Sequence, residues 1–106
     1  MKITEKQKLY KKLGVPSPED IEAFNDYLRE NNEVLEETED WILIKNRYID
    51  NQLVLFSKRV AELHELGGFE LGEMADILKK YKHGMWYRNA VEDRSIPDRL
   101  HLHIKL

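Results

Sequence analysis

Residues 99–106 read Arg99-Leu100-His101-Leu102-His103-Ile104-Lys105-Leu106, a strict alternation of polar and apolar side chains. Successive side chains of a β-strand point to opposite faces, so this segment predicts a strand with one packed face. Leu100, Leu102, Ile104 and Leu106 form the face that packs on helices. Arg99, His101, His103 and Lys105 form the other, with two imidazoles between two cations. Such a face attracts anions and holds a group able to act as a nucleophile near neutral pH, which points to phosphate esters. The plain alternative is the solvated face of an antiparallel strand, kept soluble by its polar residues. A metal site is a further alternative, because a His-x-His pair on one strand can supply two ligands. It needs a third ligand, for which His64, His83, Asp93 and Asp98 are candidates without a fixed position.

Upstream, Trp41-Ile42-Leu43-Ile44 and Gln52-Leu53-Val54-Leu55-Phe56 are apolar runs separated by Lys45 to Asn51, a stretch rich in turn residues. This pattern predicts an antiparallel hairpin. Phe69, Leu71, Met74, Ile77, Leu78 and Tyr81 follow helical spacing after Gly67-Gly68 and predict a helix over 69–82, ended by His83-Gly84. Met85-Trp86-Tyr87 opens another strand, followed by a polar loop from Val91 to Pro97. Before the hairpin, Ser17-Pro18-Glu19-Asp20 reads as a helix start, with Ser17 as cap and Pro18 at the first helical position. Ile21, Phe24, Tyr27 and Leu28 carry that helix to Asn31. The acidic stretch from Glu30 to Asp40 turns at Asn31-Asn32 into a short strand or connector at Val34-Leu35. Residues 1–13 suit a short amphipathic helix with a basic, solvated face. The expected fold is α+β: a mostly antiparallel sheet of about five strands, one main packing helix at 69–82 and an N-terminal helical extension. The extension covers residues 1–33 and the sheet-bearing domain residues 34–106.

The length of 106 residues suits one core, and 42% apolar with 35% charged residues excludes a disordered chain. Seventeen Lys and Arg against twenty Asp and Glu leave a net charge of −3, which argues against binding extended nucleic acid; a mononucleotide in one pocket remains compatible. The chain has no cysteine, the habit of reducing compartments. Met1 to Lys6 has no apolar core of signal-peptide length, and no stretch approaches the roughly 20 apolar residues that span a bilayer. The cytoplasm is the expected compartment, with no membrane partner.

The segment Ser95-Ile96-Pro97-Asp98-Arg99-Leu100-His101-Leu102-His103-Ile104 resembles the signature of the histidine-triad superfamily, in which three His alternate with apolar residues after a small polar loop. Arg99 falls on the first His, His101 on the second and His103 on the third. Trp41 to Tyr48 and Gln52 to Val60 resemble that family's paired strands, and the helix after Phe69 keeps its order, so the match runs co-linearly over roughly residues 34–106. The resemblance implies a HIT-like fold and a nucleotide hydrolase or nucleotidyl transferase that acts at the α-phosphate of a purine nucleotide conjugate. His101 would attack phosphorus to give a nucleotidyl-histidine intermediate, with His103 as a donor beside the phosphate. Ser95, or its neighbouring amides, would hold phosphate oxygens, Asn46 would contact the ribose, and Asn89 matches a polar position after the penultimate strand. Ile42, Ile44 and Trp86 would wall the base pocket. The family habit is a homodimer, with no cofactor and no metal.

Each of these positions has a plain counterpart. Asn46 suits a turn, Ser95 a bond to the local backbone, Asn89 a strand end, and apolar strand residues a core. Arg99 is the main departure, because a guanidinium is permanently charged and shuttles no proton. It either clamps phosphate directly or fills the pocket, and in the second case the chain is a catalytically weak nucleotide-binding or interaction module.

Overall fold

The computed structural model describes residues 14–81, 85–88, 96 and 98–106. Five strands, β1 (Val34–Glu37), β2 (Trp41–Lys45), β3 (Gln52–Ser57), β4 (Met85–Tyr87) and β5 (His101–Lys105), form one sheet in the order β1-β2-β3-β5-β4. Every neighbouring pair is antiparallel. Two α-helices are described, α1 (Ile21–Asn31) and α2 (Gly68–Lys80), with a 3-10 turn at Leu63–Glu65. The architecture is therefore α+β. The helix expected over residues 1–13, and the turn at His83-Gly84, lie outside the described residues.

The hairpin between β2 and β3 closes through Asn46. Its Oδ1 accepts from the backbone N–H of Tyr48 (2.8 Å) and Ile49 (3.2 Å), and its own N–H donates to the Gln52 carbonyl at 3.0 Å. Asn51 takes φ 57°, a left-handed conformation that Asn tolerates better than most residues.

Both faces of the sheet are covered, which explains why β2 and β3 read as continuous apolar runs rather than alternating ones. Trp41, Leu43, Leu53, Leu55, Leu100, Leu102 and Ile104 share a buried cluster with Ile77 and Leu78 of α2. The indole Nε1 of Trp41 donates to the Glu70 carbonyl at 2.8 Å, fixing α2 to β2. On the other face, Ile42, Ile44, Val54 and Phe56 pack with Phe24 and Leu28 of α1. α1 thus supplies core side chains and is part of the same packed unit as the sheet.

Several expectations are corrected in detail. Asp20, not Ser17, caps α1: its Oδ1 accepts from Ala23 N–H at 3.2 Å. Ser17 instead forms the turn before it, with its carbonyl accepting from Asp20 N–H at 3.0 Å. Pro18 is buried and lies in that turn, outside the helix. At the other end, β5 begins at His101, so Arg99 precedes the strand, and Leu106 is exposed beyond it. α2 ends at Lys80, and Phe69 in its first turn is 92% exposed, because only Ile77 and Leu78, with Met74 and Tyr81, reach the sheet. Among the described residues, no helix is long and apolar enough to cross a membrane.

Candidate functional site

The face of the sheet under α1 carries His101 and His103. In β5 they alternate with Leu102 and Ile104, and in β3 Phe56 stands opposite His101 and Val54 opposite His103. This face is not solvated: His101 is only 6% exposed. The Phe56 ring stacks on His101 with centroids 5.0 Å apart, and His103 meets His101 edge-on at 5.3 Å.

Each imidazole makes a hydrogen bond through Nδ1. His101 Nδ1 lies 3.0 Å from the Arg99 carbonyl. A carbonyl only accepts, so Nδ1 carries a proton, and whenever the ring is neutral its lone pair is on Nε2. His103 Nδ1 lies 3.3 Å from Gln52 Oε1, which also accepts from Asn46 Nδ2 at 2.7 Å. Gln52 Nε2 donates onward to the Tyr87 hydroxyl at 3.1 Å, and the Tyr87 ring stacks on His103 with centroids 5.0 Å apart. His103 is held from behind by Gln52 and from the side by Tyr87. Its Nε2 is buried without a hydrogen-bond partner among the described residues. Burial holds the His103 pKa below its ordinary 6.5, so the ring is neutral at pH 7.

Both imidazoles line a cavity of about 160 Å³. Tyr27, Leu28 and Asn32, from α1 and its C-terminal cap, form one wall, and Ile44, Val54 and Phe56 of the sheet form the floor. Asn46, Arg47 and Tyr48 of the hairpin turn close one side, and Ile96 another. An apolar floor with a few convergent polar groups is the usual character of a small-molecule site. Arg47 lies over the ring of Tyr48, 5.4 Å from its centroid, at the exposed rim. A larger hollow of about 430 Å³ at the start of α2 is lined by Glu39, Asp40, Arg59 and Glu70, with no histidine.

The sequence-predicted residues divide clearly. His101, His103 and Asn46 come together at the cavity, although the Asn46 side chain is engaged in closing the turn and in bonding Gln52. Ile44 lines the cavity, whereas Ile42 is core beneath α1, and Trp86 lies on β4 and is 40% exposed. Ser95 and Asn89 lie outside the described residues. Arg99 does not line the cavity. Its guanidinium is 1% exposed and donates to Asn25 Oδ1 (2.7 Å), the Ser57 carbonyl (3.2 Å) and the Pro18 carbonyl (2.8 Å). It also lies over the Phe24 ring, 4.7 Å from the centroid. Burial lowers its pKa to about 10, so it stays charged at neutral pH.

Sequence reasoning missed Gln52 and the contribution of α1. Gln52 stands in an otherwise apolar strand at the position that alternation places on the histidine face, a signal that was available. For α1, nothing in the local pattern says which surface its Tyr27 and Leu28 cover. Among the described residues, no group of three or more His, Asp or Glu is placed to hold a metal ion; His83 and Asp93 lie outside them. Comparison with protein-family models, with curated proteins and with solved structures gave no match for the chain.

Proposed function

We propose that the chain is a divergent relative of the histidine-triad superfamily with a HIT-like fold, acting at the α-phosphate of a purine nucleotide conjugate. The observation that carries this reading is that His101 and His103 line one cavity side by side, with the His101 ring turned by its Nδ1 bond to the Arg99 carbonyl so that Nε2 would be the attacking nitrogen. The cavity, with its apolar floor, would take the base and sugar, and the phosphate would sit against His101 and His103.

In the reaction, the His101 Nε2 lone pair attacks the α-phosphorus, and the bond from phosphorus to the leaving group breaks with its electron pair leaving on that group. A phosphate dianion against the buried Nε2 of His103 draws a proton there on binding, and the resulting imidazolium donates it to the leaving group. Water then attacks phosphorus, passes a proton to His103 and releases His101 with its lone pair restored. The same reading carries a homodimer, with exposed Met85 and Trp86 on the edge strand β4 as contact residues.

The test is turnover of an adenosine phosphoramidate and a dinucleoside polyphosphate by the parent protein beside His101→Ala. Turnover that is lost in a folded His101→Ala variant supports the proposal. Binding of adenosine monophosphate with no turnover of either substrate replaces it with the nucleotide-binding module.

A further inference from the structure

Arg99 stands on the signature position where the resemblance expects an imidazole, yet its side chain does not line the cavity. Its environment is unusual for a charged residue. At 1% exposure it has no carboxylate within ion-pair distance among the described residues, and its charge is met by three carbonyl-type oxygens and one aromatic face. Even with its donors satisfied, a buried guanidinium is no more stabilising than an apolar side chain of similar volume, so its place here calls for a reason beyond packing.

The partners supply that reason, because they come from separate parts of the chain. Asn25 and Phe24 belong to α1, Pro18 to the turn before it, and Ser57 to the end of β3. Asn25 is itself tied by Nδ2 to the Lys58 carbonyl at 3.1 Å. From the same residue, the backbone carbonyl orients His101 at 3.0 Å. Phe24 in turn lies 6.1 Å from Phe56, the ring on which His101 stacks. One residue therefore fixes α1, the cavity wall bearing Tyr27 and Leu28, and also the imidazole opposite that wall.

We propose that Arg99 is a positioning residue that couples α1 to His101, setting cavity geometry through the side chain and nucleophile orientation through the carbonyl. The catalytic part rests on the reading of His101 as nucleophile; the coupling itself does not. The planar fork is essential, since the bonds are divided between Nη1 and Nη2, two separate nitrogens that a single ammonium nitrogen does not reproduce.

The experiment compares the parent with Arg99→Met and Arg99→Lys by amide hydrogen exchange across α1, by ¹⁵N spectra of the His101 ring and by kinetics on an adenosine phosphoramidate. Both variants are expected to speed exchange over Ala23–Leu28 and to convert a single Nδ1–H tautomer of His101 into a mixture. They should also raise KM and lower kcat by about tenfold or more each, as misplacement of a wall and a nucleophile requires. Should both Arg99 variants fail to fold, Asn25→Ala removes the hydrogen bond from the guanidinium to α1, together with the Asn25 bond to the Lys58 carbonyl, and keeps the Arg99 side chain. It is expected to speed α1 exchange and raise KM while the His101 tautomer and kcat are kept. Folded variants with α1 exchange and His101 ring signals identical to the parent overturn the proposal. A parent that turns over no substrate overturns the catalytic reading, and exchange and tautomer still decide the coupling.

Discussion

Gln52 Oε1 and His103 Nδ1 stand 3.3 Å apart across the β3–β5 ladder, an amide holding an imidazole from behind. They are diagonal neighbours, since Gln52 faces Lys105 and His103 faces Val54 in the register. Gln52 is only 4% exposed, and its amide joins Asn46, His103 and Tyr87 in one network. Gln52→Leu removes that hub and leaves several buried polar groups without partners. The expected cost is about 1–3 kcal/mol in urea unfolding, with a loss of activity as His103 is released. Gln52→Glu puts a carboxylate behind the ring and is expected to raise the His103 pKa, which an NMR titration reads directly.

The depressed pKa of His103 has a definite sign in stability. Because burial lowers the folded value below 6.5, the folded protein binds fewer protons than the unfolded chain below that pH. This contribution is fully present above pH 6.5 and is lost as pH falls from there towards the folded value. Urea midpoints at about pH 7.5 and about pH 5.5 should differ less in His103→Gln than in the parent. The same neutrality predicts proton uptake when adenosine monophosphate binds. Calorimetry in two buffers of different ionisation enthalpy should show a fractional proton taken up by the parent and less by His103→Gln.

Glu37 fastens the outer strand β1 to α1 and to the loop after β3. Its carboxylate pairs with Arg29 at 2.9 Å and Lys58 at 2.7 Å. Hydrogen bonds first from Arg29 and then from Lys58 hold its pKa at about 2, against an ordinary 4.5. A depressed carboxylate stabilises the fold above 4.5 and ceases to do so as pH falls through about 2. Glu37→Gln is expected to lower the urea midpoint at neutral pH, and the difference from the parent should shrink steadily as acid is added. A difference that is independent of pH would mean that the pair contributes nothing through its charge.

Local periodicity made much of the architecture legible. Alternation at Leu100, Leu102 and Ile104 matches their place in the cluster under α2, and the spacing of Phe24 and Leu28 matches their burial between α1 and the sheet. The paired runs at 41–44 and 52–56 form the expected hairpin, because apolar runs bounded by turn residues have few other ways to be buried. His101 and His103 share a face for the same reason. These features depend on neighbours a few residues apart, and a chain with such periods states them directly.

The fate of Arg99 was not legible in that way. Strand alternation places it beside the histidines, and its charge suggests an anion ligand, yet it is committed to Asn25 and Pro18, 74 and 81 residues away in the chain. Gln52 acquires its role only through the β3–β5 register, and Tyr27 and Leu28 become cavity wall only because α1 lies on the histidine face. By itself, then, the sequence determined which segments are strands and helices and which side chains share a face, because those are set by backbone period and short-range burial. Tertiary structure alone decided which polar groups are spent internally and which line a cavity, because a buried hydrogen bond is made wherever the fold brings donor and acceptor together, regardless of separation along the chain.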